Sequence, residues 1–144
     1  MRVIALMYGD EQAEAGELPS DEIVNSMIRY NEQLSKAGVL LSGEGLKPTS
    51  DGRRITWTDF DKTTVVDGPF AEAKEVIAGY WIWQVRSMEE AVEWAKRCPM
   101  GPGGRMDLRE IFEMDDFGEY LSDEQRRRDA AVRADVEKQH GGEE

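Results

Sequence analysis

Two segments of the 144-residue chain are apolar on both faces of any strand they form: Val3-Ile4-Ala5-Leu6-Met7-Tyr8 and Tyr80-Trp81-Ile82-Trp83. An antiparallel sheet with one wet face alternates apolar and polar residues. These runs do not alternate, so a sheet built on them has two faces to cover. Only two core helices are legible. One is capped by Ser20, carries Ile23, Met27, Tyr30 and Leu34 on one face, and stops at Gly38. The other opens at Ser87, where Ser87 and Glu90 have capping-box spacing, and ends before Pro99. Two helices cover one face. The simplest cover for the second is the same face of a second subunit, a twofold isologous contact. The alternative leaves a few aromatics exposed. A Trp-rich open sheet is a patch large enough to need a partner, so a homodimer is expected.

The order of elements narrows the fold. Residues 2–8 read as a strand, 10–19 as an acidic loop, and 39–42 as a second strand leading into Gly43-Glu44-Gly45. Asp51-Gly52 is a turn signal. Residues 53–59 and 63–66 are β-rich runs around Phe60-Asp61-Lys62, the pattern of a hairpin. Strands over 77–85 and 107–114 complete the set. The order is β-α-β, a hairpin, then β-α-β. Without the hairpin this is the split β-α-β pair of an α+β, ferredoxin-like fold, with helices on one face of an antiparallel sheet.

Past Met114 the character changes. Residues 115–144 hold ten acidic and five basic residues. Ser122 and Gln125 have capping-box spacing, but Val132 and Val136 make only a thin apolar stripe. A lone helix of that kind is marginal in water. The chain therefore reads as a domain over 1–114 and an acidic C-terminal extension over 115–144, helical to about Gln139 and frayed at Gly141-Gly142-Glu143-Glu144.

Composition removes most familiar chemistry. Thirty acidic residues against eighteen basic give a net charge of −12. Nucleic-acid backbone binding needs a basic stripe, and an anionic membrane repels such a chain. The single cysteine, Cys98, excludes a disulfide framework and a multi-thiolate site, and the single histidine, His140, excludes any site needing two. No metal or cofactor is expected. The apolar runs are too short for a signal peptide or a bilayer span, so a cytoplasmic location is expected. Gly101-Pro102-Gly103-Gly104 is followed by a strand, whereas a phosphate cradle needs a helix N-terminus there. Arg126-Arg127-Arg128 is flanked by acids and fits a paired helix face better than a nucleic-acid site.

One segment is distinctive: Val65-Val66-Asp67-Gly68-Pro69-Phe70-Ala71-Glu72-Ala73-Lys74-Glu75. It resembles the signature of the DGPF proteins, the YciI-related (YCII) family. The likeness continues through Ile77-Ala78-Gly79-Tyr80-Trp81-Ile82, Glu90-Ala91-Val92-Glu93-Trp94-Ala95 and Asp107-Leu108-Arg109-Glu110-Ile111. Upstream, a Met-Tyr-Gly-Asp sequence at 7–10 and the run 37–46 fit as well. The resemblance covers about residues 1–114. It implies a ferredoxin-like fold that dimerises sheet to sheet, the dimeric α-β barrel. It also implies a setting beside extracytoplasmic-function sigma factors. Some wider relatives carry a His-Asp pair; here the only histidine lies in the tail, outside the likeness, so no His-dependent mechanism is expected. Ala73 stands where many DGPF members have threonine.

The motif carries two readings. Turn chemistry alone explains Asp67-Gly68-Pro69: the carboxylate accepts backbone N–H groups, Gly68 supplies an unusual backbone angle, Pro69 sets the exit, and Phe70 fills the core. The functional reading makes Asp67, with Glu75, a general acid or base. Glu72, Lys74 and Glu75 are a solvated cluster, or Lys74 holds an anionic ligand beside Asp67. Tyr8, Tyr80 and Trp83 line a pocket or pack an interface. Arg109 pairs with Glu44 or Asp67, or grips a carboxylate ligand. Cys98, without a nearby histidine, reads as a packing residue, and His140 as solvent-exposed. The candidates are thus Asp67 and Glu75 for catalysis, and Tyr8, Lys74, Tyr80 and Arg109 for ligand binding. Three functions follow: a small-molecule-binding dimeric barrel in a sigma-factor-linked regulatory setting, a lyase or dehydrohalogenase-type enzyme using an Asp or Glu base, and a protein-interaction module.

Overall fold

The two apolar runs pair with each other at the centre of the computed structural model, which describes residues 1–70 and 75–141. Strand β1 (Arg2–Tyr8) runs antiparallel to a later strand, Ile77–Gln84, with Val3 opposite Trp83, Ala5 opposite Trp81 and Leu6 opposite Tyr80. In chain order the first compact unit, Met1–Ile111, continues with α1 (Glu11–Glu14), α2 (Asp21–Lys36), β2 (Leu40–Gly45), β3 (Arg53–Asp59) and β4 (Lys62–Asp67). The later strand is β5, and α3 (Met88–Lys96) and β6 (Met106–Glu110) follow it. The four-stranded sheet has the order β2-β5-β1-β6, every pair antiparallel, and β3-β4 stand apart as a two-stranded sheet. This is an α+β architecture of ferredoxin-like type with an inserted hairpin.

One face of the sheet meets the helices. Val3, Ala5, Trp81, Trp83 and Val85 pack with Tyr30 and Leu34 of α2, Val39, and Ala91 of α3. Tyr30 meets Trp81 edge-on, with ring centroids 5.7 Å apart. Its hydroxyl donates to the Trp94 carbonyl at 2.7 Å and so ties α2 to α3. The other face carries Ile4, Leu6, Tyr80 and Ile82, all half-exposed. Strand pairing sets Asp107 and Arg109 beside Leu6 and Ile4 at one edge, and Glu44 and Ser42 beside Tyr80 and Ile82 at the other.

Local chemistry places the helix ends. Ser20 accepts the Ile23 N–H at 3.3 Å and starts α2. Past its last turn, Gly38 adopts φ +72°, and the N–H groups of Gly38 and Val39 return to the Ser35 and Leu34 carbonyls. That is a Schellman ending, closed by the buried pair Leu34 and Val39. At α3 only half of the expected capping box forms. Ser87 accepts from the Glu90 N–H, but the Glu90 carboxylate turns back to the Arg86 N–H and guanidinium. Arg86 offers both a backbone donor and a positive charge, which the Ser87 N–H alone does not.

Several expectations are corrected. The acidic loop after β1 contains a helical turn, because Asp10 caps it through the Ala13 N–H at 2.9 Å. Strand β6 ends at Glu110 rather than 114. Glu113 and Asp116 there form a reciprocal capping box that opens a 3-10 segment, Met114–Tyr120. The α2 stripe is buried only at Tyr30 and Leu34, while Ile23 stays 52% exposed. Gly68 does not adopt a positive φ, and Phe70 lies outside the core, under the Arg54 guanidinium at 4.2 Å.

The turn after β4 is held by close approach. The Asp67 carboxylate pairs with Arg53 at 2.9 Å across the hairpin base. A Cβ on Gly68 would sit 1.7 Å from the Thr49 carbonyl oxygen. The Thr49 hydroxyl accepts the Phe70 N–H at 3.2 Å and donates to Glu14 at 2.6 Å, and the Thr49 N–H also donates to Glu14 at 2.9 Å. Glu14 thus joins α1 to the hairpin base, and these hydrogen bonds hold its carboxyl below the usual glutamate range.

The second unit, Phe112–Glu144, contains that 3-10 segment and α4 (Asp123–His140). Ser122 and Gln125 form both halves of a capping box, at 3.2 and 2.8 Å. The Arg126 guanidinium donates to the Met114 and Gly118 carbonyls, and Phe112 stacks on Phe117 at 5.2 Å. Residues 142–144, part of the frayed end read from sequence, lie outside the described residues. Among the described residues no helix is long and apolar enough to cross a membrane.

Gly68→Ala is expected to lower unfolding stability by about 1–3 kcal/mol, the usual range for overpacking. The alanine methyl meets backbone, which cannot rotate away. Gly101→Ala, where an added Cβ meets nothing within 4 Å, serves as the control in the same urea titration and is expected to be near neutral.

Candidate functional site

The exposed end of the α2 stripe faces a cavity. Ile23, Val24, Met27 and Ile28 line one wall of a cleft of about 1220 Å³. The opposite wall is the loop at residues 99–105, and Met7, Tyr8, Gly9 and Asp10 at the end of β1 close it between them. The walls form for local reasons. Met27 is one helical turn from the buried Tyr30, so the stripe continues past the end of the core. Across from it, Cys98 ends the turn after α3 and Pro99 stops any continuation, which leaves a Gly/Pro segment whose one large apolar side chain, Met100, lies back against Gly104.

Polar groups gather at one end of this cleft. The Tyr8 hydroxyl donates to Asp107 at 2.7 Å, and the Arg105 guanidinium lies 4.2 Å from the centroid of the Tyr8 ring. The bond to Asp107 is the main reason that Tyr8 holds its proton more tightly than an ordinary tyrosine; the Asp107 and Glu75 charges add to it, and Arg105 opposes it. Asn31, on α2, lines the cleft and accepts the Trp81 indole N–H at 2.9 Å. An apolar cleft with a few convergent polar groups is the usual form of a small-molecule site. Among the described residues no cluster of three His, Cys, Asp or Glu is placed to hold a metal.

The candidates from sequence are distributed over three places. Tyr8 lies on the cleft wall, and Glu75 is near enough to bias its proton. Tyr80 and Arg109 lie on the open sheet face, beside Glu44 and Ile4 respectively. Asp67 sits at the hairpin base with its side chain 78% exposed, and Arg53, not Arg109, is its partner. Lys74, with Glu72, lies outside the described residues. Trp83 is wholly buried in the core and is not among the residues lining the cleft. Cys98 is half-buried, and burial pushes its thiol up to about 11, which leaves little thiolate at neutral pH.

Sequence reasoning missed Asn31, Arg105 and Asp107. For Asn31 a signal existed. It follows Ile23 and Met27 at four-residue steps and so interrupts an apolar stripe with an amide. Arg105 and Asp107 flank the start of β6 and meet Tyr8 only because β1 and β6 pair, with Met7 opposite Met106.

A family model described as the YCII-related domain matches residues 1–115 of the chain. An uncharacterized protein of Rhizobium meliloti (strain 1021) is 30% identical over 98 residues, which span 67% of this chain and 78% of that protein.

The Tyr8–Asp107 bond has a direct titration signature. The folded protein holds this proton more tightly than the unfolded chain does. Its stabilisation is therefore complete below the ordinary tyrosine value of 10.0 and is lost as pH rises through the raised value. In Asp107→Ala, one tyrosine is expected to ionise at lower pH than in the parent. Tyrosinate absorbance against pH measures this; an unchanged curve would show that Asp107 does not govern Tyr8.

Proposed function

The chain belongs to the YCII-related domain family, and from that premise we propose that it binds a small molecule in the cleft between α2, the end of β1 and the loop after α3. The observation that carries this reading is the exposed α2 stripe. Ile23, Val24 and Ile28 are 52%, 39% and 50% exposed on a wall of one cavity, where a helix serving only the core would bury them or replace them with polar residues. The ligand is mostly apolar, and its polar end meets Tyr8, Asp10, Asn31 and Arg105. The resemblance of the motif at residues 65–75 supports a regulatory role in a cytoplasmic protein linked to an extracytoplasmic-function sigma factor.

Homodimerisation through the open sheet face completes the proposal. Ile4, Leu6, Tyr80 and Ile82 form an apolar centre rimmed by Glu44 on one edge and Arg109 on the other, a layout suited to a twofold contact between sheets. Light scattering on the wild-type protein is expected to give the mass of two chains, and Ile82→Glu the mass of one. A wild-type protein that is monomeric at tens of micromolar overturns this element.

The enzymatic reading has one specific support: the Glu75 charge adds to the hold of Tyr8 on its proton, so an acidic group lies within electrostatic reach of the Tyr8–Asp107 pair. On this reading Glu75 is the base and the ligand lies against Tyr8 on the cleft wall. Turnover of a cleft ligand that disappears in Glu75→Gln, with the melting temperature unchanged, selects it over binding alone.

A thermal-shift screen against a metabolite library tests the main reading. A ligand at a hundred times its dissociation constant is expected to add about 2.7 kcal/mol of stability. Ile28→Trp, which fills the cleft from a position outside the core, is expected to abolish that shift. A hit that survives Ile28→Trp places the ligand elsewhere.

A further inference from the structure

We infer that Asn31 selects the ligand: the cleft takes an apolar body that ends in a hydrogen-bond acceptor of carbonyl type, and the Asn31 amide nitrogen is its donor. This rests on the cleft being the ligand site.

The argument begins with Trp81. Its indole N–H is a donor only. It bonds to Asn31 Oδ1 at 2.9 Å, so the two ends of the amide are assigned by chemistry. The oxygen must face the indole, and the amide nitrogen must occupy the opposite branch. Trp81 cannot relax this constraint. Its ring is wedged between Gly43, where any Cβ would lie 2.5 Å from the indole, and the Tyr30 ring, edge-on at 5.7 Å. Asn31 is half-buried and lines the cleft. Among the described residues its side chain makes no other hydrogen bond, so its two amide N–H donors have no protein acceptor. The neighbours on its helix face are Ile23, Met27 and Ile28, which offer no acceptor stronger than the Met27 thioether. The Tyr8 hydroxyl, the other neutral side-chain donor on the cleft wall, is committed to Asp107.

Asn31→Asp isolates this role. The aspartate keeps an oxygen for the Trp81 N–H and so spares the fold, but replaces the two donors with an acceptor. The probes are a propionyl-dimethylaminonaphthalene ketone, the matching propylnaphthalene without the carbonyl, and the matching primary amine, followed by fluorescence titration. The wild-type protein is expected to bind the ketone roughly five- to tenfold more tightly than the carbonyl-free probe, the range of one neutral hydrogen bond. In Asn31→Asp that preference is expected to vanish and the amine to become the best of the three. Near-ultraviolet circular dichroism, dominated here by the buried tryptophans, is expected to be unchanged. Ketone and carbonyl-free probe bound equally, with both displaced by Ile28→Trp, overturns the role of Asn31 and leaves the cleft standing. A ketone preference that survives Asn31→Asp overturns it as well. No binding of any probe, or binding indifferent to Ile28→Trp, overturns the cleft and Asn31 together.

Discussion

Trp81 has to place both a large ring and an N–H on the buried side of a sheet, and much of the molecule is arranged around that demand. The ring needs a neighbouring strand without a side chain, which Gly43 supplies. It needs an aromatic edge on the covering helix, which Tyr30 supplies, and Tyr30 in turn anchors α3 through the Trp94 carbonyl. The N–H needs an acceptor in an apolar setting, where an unmet donor costs about 1–3 kcal/mol. Asn31 answers it, one residue past Tyr30. Trp83, two residues along the same strand, is buried among the same helices, and its own indole N–H has no partner among the described residues. Of the two indoles, only that of Trp81 couples the core to the cleft.

The motif that gives the family its character serves the fold by a different route from simple turn chemistry. Asp67 reaches across the hairpin to Arg53, and the glycine after it exists for close approach to Thr49. Phe70 then lies on the hairpin under Arg54 rather than in the core. The turn is locked from outside by Glu14 through Thr49. A two-stranded hairpin is marginal by itself, and every residue of β3 and β4 is exposed. The Glu14–Thr49–Phe70 chain is therefore a principal fixture of its base.

Much of the fold was legible because its signals are local. Ser20, Gly38, Ser122 and Gln125 place helix ends by hydrogen bonds that span three or four residues. The order of elements along the chain was legible too, and the structure makes the two doubly apolar runs the central pair of the sheet. Where competing donors sat close together, the reading slipped. Glu90 chose Arg86 over Ser87, and Glu113 with Asp116 ended β6 early. The site was less legible. Tyr8 and Glu75 could be named from sequence, but Asp107, Arg105 and Asn31 join them only through strand pairing and helix docking. The periodicity at 23, 27 and 31 is the one trace they left.

By itself the sequence determined the class of fold and its length of core. Alternation, caps and turn residues act within a few positions, and two doubly apolar strands with two helices leave few arrangements. It determined as well what the chain lacks for chemistry: paired histidines and thiolates in number. Only the tertiary structure decided which apolar residues are core and which are wall. Ile23 and Leu34 share one helical stripe, yet Leu34 meets the sheet and Ile23 meets a cavity. The reason is that α2 extends beyond its contact with the sheet, and the Gly/Pro loop across from it lines the gap without closing it. Periodicity records which residues face the same way; it carries no record of what stands opposite.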